Sequence, residues 1–130
     1  MRIVARSYLM EILLQTGQTV HMVIKEGFEG VYIEKLESFR SLPMILRTGM
    51  RAPLYCTAFG KSILAYLSHE ELKKYISSVA AKKKTPNTIT NGKVLKMELQ
   101  KVRKQGYAID NEENEQEVTC IGNLILNHKG

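Results

Sequence analysis

A change of hydrophobic period along the chain constrains its fold more than any other feature. Thr19–Lys25 and Val31–Leu36 alternate between apolar and polar side chains around the turn-forming segment Glu26–Gly30, so they predict a β-hairpin. From Thr57 onward the apolar residues recur every three or four positions, which is the period of amphipathic helices. A hairpin followed by helices predicts an α+β fold, with an antiparallel sheet covered by helices.

The first helix is predicted over Ile3–Gln15, ahead of the hairpin. Tyr8, Ile12 and Leu14 would lie on its buried stripe. No Ser, Thr, Asp or Asn precedes this helix as an N-cap. We therefore expect it to begin as if it were cut from a longer protein.

Three further helices are predicted from their capping residues. Thr57, Ser68 and Asn91 are suitable N-caps, because their side-chain oxygens can accept a backbone amide of the first turn. The last of these helices would end at Gly106, a residue suited to the left-handed conformation after a helix. Its inward-facing residues would be Val94, Leu95, Leu99 and Val102.

Short strands are predicted in the remaining segments. Met44–Leu46 is a candidate third strand, and Gly49–Pro53 is expected to be a loop. Tyr107–Asp110 and Val118–Leu126 predict two more strands, joined by the acidic loop Glu112–Glu117. The chain then ends in turn-forming residues with no strand after them, which predicts an incomplete hairpin.

Composition excludes several classes of protein. The 130 residues are 44% hydrophobic and 25% charged, which is ordinary for one soluble domain. No signal peptide opens the chain, and no apolar run approaches the roughly 18 residues that a membrane helix needs. We therefore expect a cytoplasmic protein. The net charge of +6 suits nucleic acid or an acidic ligand, but the basic residues are scattered apart from Lys82–Lys84.

The start of the Thr57 helix is a candidate anion site. Gly60-Lys61-Ser62 lacks the upstream glycine of a phosphate-binding loop, because Tyr55 occupies that position. The first amides of the helix, those of Ala58, Phe59 and Gly60, nevertheless have no intrahelical acceptors and favour an anion. The alternative is that Thr57 simply caps one of them.

Residues that could support catalysis or bind a metal form no recognisable pattern. Cys56, Cys120, His21 and Asp110 are the candidates for a Cys-dependent or metal-assisted hydrolase. Their spacing matches no zinc motif, and a free cysteine is more often a small buried apolar residue. Asp110 also fits a plain turn residue before the acidic loop.

Several segments match known motifs in order and spacing over essentially the whole chain. They are Gly17–His21 ("GETVHL"), Arg51–Ser62 ("RxPLHATAxGKA"), Thr85–Thr90 ("TPxTIT"), Val102–Glu113 ("VRxxGYAxDxEE") and Cys120–Gly122 ("CIA"). Together they resemble the effector-binding domain of IclR-type transcriptional regulators.

The resemblance implies a GAF-like, profilin-like α+β domain that senses a small organic acid and forms dimers or tetramers. Operator DNA would be bound only through a winged helix-turn-helix domain, for which this chain has no corresponding segment. A final strand and helix would also follow Gly130, so residues 1–130 are expected to be a domain truncated at its C-terminal end. No enzyme activity, cofactor, metal or membrane partner is expected.

The resemblance also implies which positions contact the effector. By position these are Met44, Ala52, Ala58, Phe59, Asp110, Val118 and Cys120. Phe59 departs from the small residue common at its position, so it would narrow the pocket or add an aromatic wall. The hydrolase and a dimerisation module without a ligand are the alternative functions.

Overall fold

The computed structural model describes residues 2–38 and 48–126. The predicted strand Met44–Leu46 and the predicted turn at residues 127–130 lie outside these ranges. The chain divides into two compact units, Met1–Ala52 and Pro53–Gly130. The fold is α+β with antiparallel strand pairs, as predicted. In chain order the elements are α1 (Arg2–Thr16), β1 (Val20–Glu26), β2 (Glu29–Leu36), β3 (Arg51–Pro53), α2 (Ala58–Ala65), α3 (His69–Ser78), α4 (Gly92–Gln105), β4 (Ala108–Asn111) and β5 (Thr119–Gly122).

The predicted hairpin forms the centre of the first unit. β1 and β2 pair antiparallel, and their register ends where Glu26 lies opposite Glu29. Only two residues connect the strands, and Gly27 stands first with a φ of 63°, the positive φ that the first central residue of a type II′ turn requires. The turn is therefore tighter than the predicted segment Glu26–Gly30.

A third strand extends this sheet where a loop was predicted. The Tyr32 amide donates to the Met50 carbonyl at 3.0 Å, and the Tyr32 carbonyl accepts from the Gly49 amide at 2.7 Å. These bonds lead into β3, which lies beside β2 in the sheet. The loop prediction for Gly49–Pro53 is thus wrong over Arg51–Pro53. A strand of three residues is too short to show an alternating pattern.

α1 buries a different face from the one predicted. Leu9 is buried and packs with Met22 and Leu36 of the hairpin. The predicted stripe is exposed, at 66% for Tyr8, 47% for Ile12 and 77% for Leu14. The residues from position 8 to position 14 are apolar apart from Glu11, so their spacing is compatible with several faces. Contact with the hairpin selects the face that contains Leu9.

The predicted caps delimit the helices of the second unit. Thr57, Ser68 and Asn91 each accept a first-turn amide, and Gly106 ends α4 in the left-handed conformation with a φ of 89°. Val94 is 49% exposed, so its predicted inward orientation is wrong. The other inward residues of α4 are buried as predicted, namely Leu95, Leu99 and Val102.

α2 passes very close to the segment that precedes it. A Cβ atom added to Gly60 would lie 2.2 Å from the Leu54 carbonyl oxygen and 2.5 Å from Thr57 Oγ1. Leu54 is fully buried in the core of this unit, so its backbone has little freedom to move aside. Glycine at position 60 therefore allows α2 to pack in this position.

We expect Gly60→Ala to destabilise the protein by about 2 kcal/mol. Alanine favours a helix over glycine by ~1 kcal/mol, but overpacking against buried backbone costs more. Urea unfolding monitored by circular dichroism measures the difference. Lys73→Ala on the exposed surface of α3 is the control, with an expected change within about 0.5 kcal/mol. A Gly60→Ala variant as stable as the parent would contradict the close approach.

Candidate functional site

The start of α2 lies directly against β5. A Cβ atom added to Gly122 would lie 2.6 Å from the Ala58 carbonyl carbon and 2.7 Å from the Phe59 amide nitrogen. The Ser62 hydroxyl donates to the Gly122 carbonyl at 3.0 Å and fixes the same approach. The structure thus places two predicted site residues, Ala58 and Phe59, beside the strand that carries Cys120.

Asp110 and Cys120 lie directly opposite each other in the β4–β5 pair. Opposite residues of an antiparallel pair project from the same face of the sheet. Val118 immediately precedes β5, and its carbonyl accepts the Glu112 amide at 3.2 Å. The structure therefore places Asp110 and Cys120 on two adjacent strands, with Val118 immediately before the second of them.

Of the other predicted contacts, the structure describes Ala52 and the Phe59 side chain but not Met44. Ala52 is buried on β3 in the first unit. Met44 lies outside the described residues. Phe59 is half-buried and packs against the hydrophobic core of the second unit, so only part of its ring is available as a wall.

The helix start provides fewer free donors than predicted. Thr57 Oγ1 accepts the Gly60 amide at 3.2 Å and donates to the Pro53 carbonyl at 2.7 Å. The Gly60 amide is therefore used by the cap and does not remain for an anion. The Ala58 amide has no acceptor among the described residues.

Lys61 is fully buried, and it is not among the site residues that the sequence predicts. Its Nζ donates to the two Glu113 carboxylate oxygens at 2.9 and 3.0 Å, and to the Ile109 carbonyl. Glu98 Oε2 lies farther away, at 3.4 Å. A lysine among the small and apolar residues of α2 signals a buried partner, but that partner is 52 residues away in the chain.

Asp110 is buried, with 4% of its surface exposed. Its Oδ1 accepts the Glu113 amide at 2.8 Å, so the turn-residue interpretation is correct for one oxygen. Burial raises the pKa of Asp110 to about 6, and the nearby Glu113 carboxylate adds to the increase. Backbone amides and the Lys61 ammonium oppose it. Asp110 therefore titrates close to neutral pH and can accept or donate a hydrogen bond.

Two threonines of the Thr85–Thr90 motif hold the loop that follows β4. The Thr88 hydroxyl donates to the Glu113 carbonyl at 2.6 Å, and the Thr85 hydroxyl donates to the Glu112 carbonyl. This motif therefore supports the candidate site by holding the loop next to Asp110.

The cysteines do not have the properties of nucleophiles. Burial raises the pKa of both Cys56 and Cys120 to about 11. His21 lies on β1 and packs edge-to-face with Tyr32, with ring centroids 5.2 Å apart. Burial lowers the pKa of this histidine. Over the described ranges, no group of three or more His, Cys, Asp and Glu residues could hold a metal.

The second unit also contains two cavities. The first has a volume of about 90 Å³ and is lined mainly by Tyr55, Tyr75, Ile76, Ile89 and Leu95. The second measures about 330 Å³ and is lined by Pro86, Asn87, Glu112, Gln116 and Glu117. Neither cavity is lined by a predicted effector contact.

Residues 1–130 match the protein family described as "Bacterial transcriptional regulator IclR C-terminal". The chain belongs to this family. The resemblance seen in its motifs is therefore confirmed, and it extends over the whole sequence. In the described part of the chain, no helix combines the length and apolar character needed to cross a membrane.

Curated relatives are transcriptional regulators. The HTH-type transcriptional regulator XynR of Escherichia coli K12 is 40% identical over 125 residues, which cover 96% of this chain and 50% of the relative. The HTH-type transcriptional regulator KdgR of the same strain is 38% identical over 120 residues, covering 92% and 46%. The chain thus spans about half the length of these relatives. IclR-family proteins are regulators, so the hydrolase alternative is not supported.

Solved structures of relatives have the same fold. The Thermotoga maritima IclR structure is 55% identical with a TM-score of 0.96, covering 99% of this chain and 52% of that one. The inducer-binding domain of PobR from Acinetobacter, solved as a double mutant, is 30% identical with a TM-score of 0.90, covering 100% and 77%. The IclR effector-domain fold is therefore confirmed.

We expect Asp110→Asn to remove a pH-dependent loss of stability. The folded pKa is about 6 and the ordinary value is 3.8, so the unfolded chain releases this proton first. Stability is therefore greatest below the ordinary value and falls as the pH rises through the folded value. We compare the free energy of unfolding of the Asn variant with that of the parent at each pH. The difference should favour the variant by about 1–2 kcal/mol more at pH 7.5 than at pH 4, allowing for solvent screening.

Urea unfolding at the two pH values measures this difference. Glu70→Gln, at an exposed position on α3, is the matched control and should show no such change. A stability difference between the Asp110→Asn variant and the parent that does not vary with pH would contradict the assignment.

We expect both cysteines to react slowly with iodoacetamide at pH 7.5. Raising a thiol pKa from 9.0 to about 11 lowers the thiolate fraction about 100-fold. Mass spectrometry of the native protein over time measures the modification, and the urea-unfolded chain is the control. Rapid labelling of native Cys120 would contradict the raised pKa and reopen the hydrolase interpretation.

Proposed function

We propose that this domain senses a small hydroxylated carboxylate, and that effector binding changes how the full-length regulator binds DNA. The observation that carries the proposal is the pair of buried Asp110 and partly buried Cys120 beside the start of α2. This arrangement combines a hydrogen-bonding carboxyl group with the positive end of a helix. The effector site is expected in this part of the second unit.

The carboxylate of the effector would lie at the start of α2. The Ala58 amide has no acceptor in the described part of the chain, and the helix dipole favours negative charge at this end. Val118 and the accessible part of Phe59 would supply apolar walls. Met44 and Ala52 remain proposed contacts from the resemblance alone.

The hydroxyl of the effector would bond to Asp110. The Glu113 amide donates to Oδ1 of this carboxyl group, and the Asn114 amide also stabilises its charged form. A carboxylate offers about four acceptor sites, so an effector hydroxyl would use one that these two amides do not occupy. A second negative charge would repel a plain carboxylate, whereas a hydroxyl group can donate to it. The neutral thiol of Cys120 would form a small, weakly polar wall beside it.

A relative supports this class of ligand. The PobR inducer-binding domain, which is 30% identical to this chain, was solved as a complex with 3-hydroxybenzoic acid. That molecule carries both a carboxylate and a hydroxyl group, which are the two groups that the start of α2 and Asp110 suit.

We also propose that the protein acts in the cytoplasm as a dimer or tetramer, with residues 1–130 serving as its effector-binding domain. Operator DNA would contact the winged helix-turn-helix domain of the full-length regulator. Exposed apolar side chains support self-association, and they include Tyr8, Ile12 and Leu14 on α1 and Ile121, Ile125 and Leu126 around β5. An effector that prefers one protomer arrangement would shift the population of DNA-binding states.

Calorimetric titration with 3-hydroxybenzoate and benzoate tests the proposal. We expect the parent to prefer the hydroxylated acid, and Asp110→Asn to reduce that preference about 5- to 10-fold, because a charge-assisted hydrogen bond is lost. Ala58→Pro should weaken both acids equally, since proline keeps the helix start but removes the amide donor. Thr57 already has the extended backbone that a following proline requires.

Lys73→Ala on α3 is the control and should bind both acids like the parent. Unfolding curves of each variant verify that the fold is retained. If Asp110→Asn and Ala58→Pro both bind the two acids with the affinity of the parent, the effector pocket lies elsewhere in the protein. If no small carboxylate binds to the parent protein or stabilises it, the alternative of a dimerisation module without a ligand is favoured instead.

A further inference from the structure

The backbone on both sides of Asp110 is held by one buried ion pair. Lys61 Nζ donates to the carbonyl of Ile109, the residue before Asp110. Glu113 Oε2 accepts the amide of Asn111, the residue after Asp110, at 3.0 Å. Because Lys61 also bonds both Glu113 carboxylate oxygens, the two attachments form one connected unit.

The same ion pair also orients the Asp110 side chain. The Glu113 amide donates to Asp110 Oδ1 at 2.8 Å, while the Glu113 carboxylate is bonded to Lys61. Movement of Glu113 would therefore shift the donor that orients the Asp110 carboxyl group. The Thr88 hydroxyl holds the Glu113 carbonyl from the other side of the loop.

We propose that Lys61 and Glu113 are positioning residues that orient Asp110 and thereby set the preference of the site for hydroxylated over plain carboxylates. This inference rests on the proposed function and assigns a specificity role to residues that do not contact the effector. Stability alone explains the pair poorly, because two well-packed apolar residues often replace a buried ion pair without loss.

The positioning role of Lys61 and Glu113 can be measured through the titration of Asp110, because both side chains are charged and lie near its carboxyl group. Lys61 projects from α2 and favours the charged form of Asp110, whereas Glu113 in the loop disfavours it. Asp110 also acts electrostatically on the thiols of Cys56 and Cys120, but both thiols remain neutral at pH 7 because their pKa values are raised to about 11. The two members of the ion pair should therefore shift the titration of Asp110 in opposite directions.

The experiment compares Lys61→Met, Glu113→Gln and the double variant in the full 130-residue chain. Carboxyl ¹³C NMR follows the titration of Asp110, and calorimetry measures 3-hydroxybenzoate against benzoate. Lys61→Met should raise the pKa of Asp110 and Glu113→Gln should lower it. Lys61→Met should reduce the hydroxyl preference about 5-fold, because it releases the Ile109 carbonyl. Glu113→Gln should also reduce this preference, because glutamine has one acceptor oxygen to share between the Asn111 amide and Lys61.

The double variant controls for unfolding that an unpaired buried charge could cause in the single variants. Lys61→Met leaves Glu113 buried without its cation, whereas Glu113→Gln leaves Lys61 with Glu98 nearby. Removing both charges avoids an unpaired ion and should return the pKa of Asp110 close to that of the parent. The hydroxyl preference should stay reduced, because methionine cannot hold the Ile109 carbonyl.

Lys101→Met on α4 and Glu70→Gln on α3 are matched controls at exposed positions, and neither readout should change. The positioning role would be overturned if the folded single variants left the pKa of Asp110 unchanged or shifted it in the same direction. It would also be overturned if their preference for the hydroxylated acid equalled that of the parent. The two single variants could shift the pKa of Asp110 in opposite directions while the parent binds neither acid. That result would support the orientation of Asp110 by the ion pair and would reject the proposed effector site.

Discussion

Burial of the Lys61 ammonium is the constraint on which the second unit depends. Removing such a charge from water carries an effective penalty of several kcal/mol, so its hydrogen bonds must be made inside the protein. Here Glu113 supplies both carboxylate oxygens and Ile109 supplies a carbonyl. The interaction therefore joins α2 to β4 and to the loop that follows it. An uncharged residue at position 61 would place no such demand on that loop.

Two glycines allow α2 to pack closely against its neighbours. Gly60 lets α2 approach the backbone of Leu54, and Gly122 lets β5 approach the first residues of α2. A methyl group at either position would collide with backbone atoms, which cannot rotate away as a side chain can. The close packing of α2 places the positive end of its dipole beside Asp110 and Cys120, and the chemistry proposed for the effector follows from this arrangement.

The candidate site could be predicted from the sequence only in part. Motif positions indicated that Ala58, Asp110 and Cys120 belong to one region, and the structure places them on neighbouring elements. The Lys61–Glu113 pair was missed because its partners are 52 residues apart and neither lies in a recognisable ion-pair pattern. The alternative that Thr57 caps one of the first amides is correct for Gly60, and this donor is lost to an anion because a cap and an anion site use the same donors.

The sequence by itself determined the local structure: the helix caps, the hairpin turn at Gly27 and the α+β order of elements, because these depend on residues close together in the chain. Only the tertiary structure decided which face α1 buries, since its apolar residues surround the helix and the hairpin selects the face with Leu9. Tertiary packing likewise created β3 and the ionisation behaviour of Asp110. β3 forms only because it pairs with β2, and the pKa of Asp110 is shifted only because the carboxyl group is buried beside Glu113 and Lys61. Both features depend on residues that are distant in the sequence.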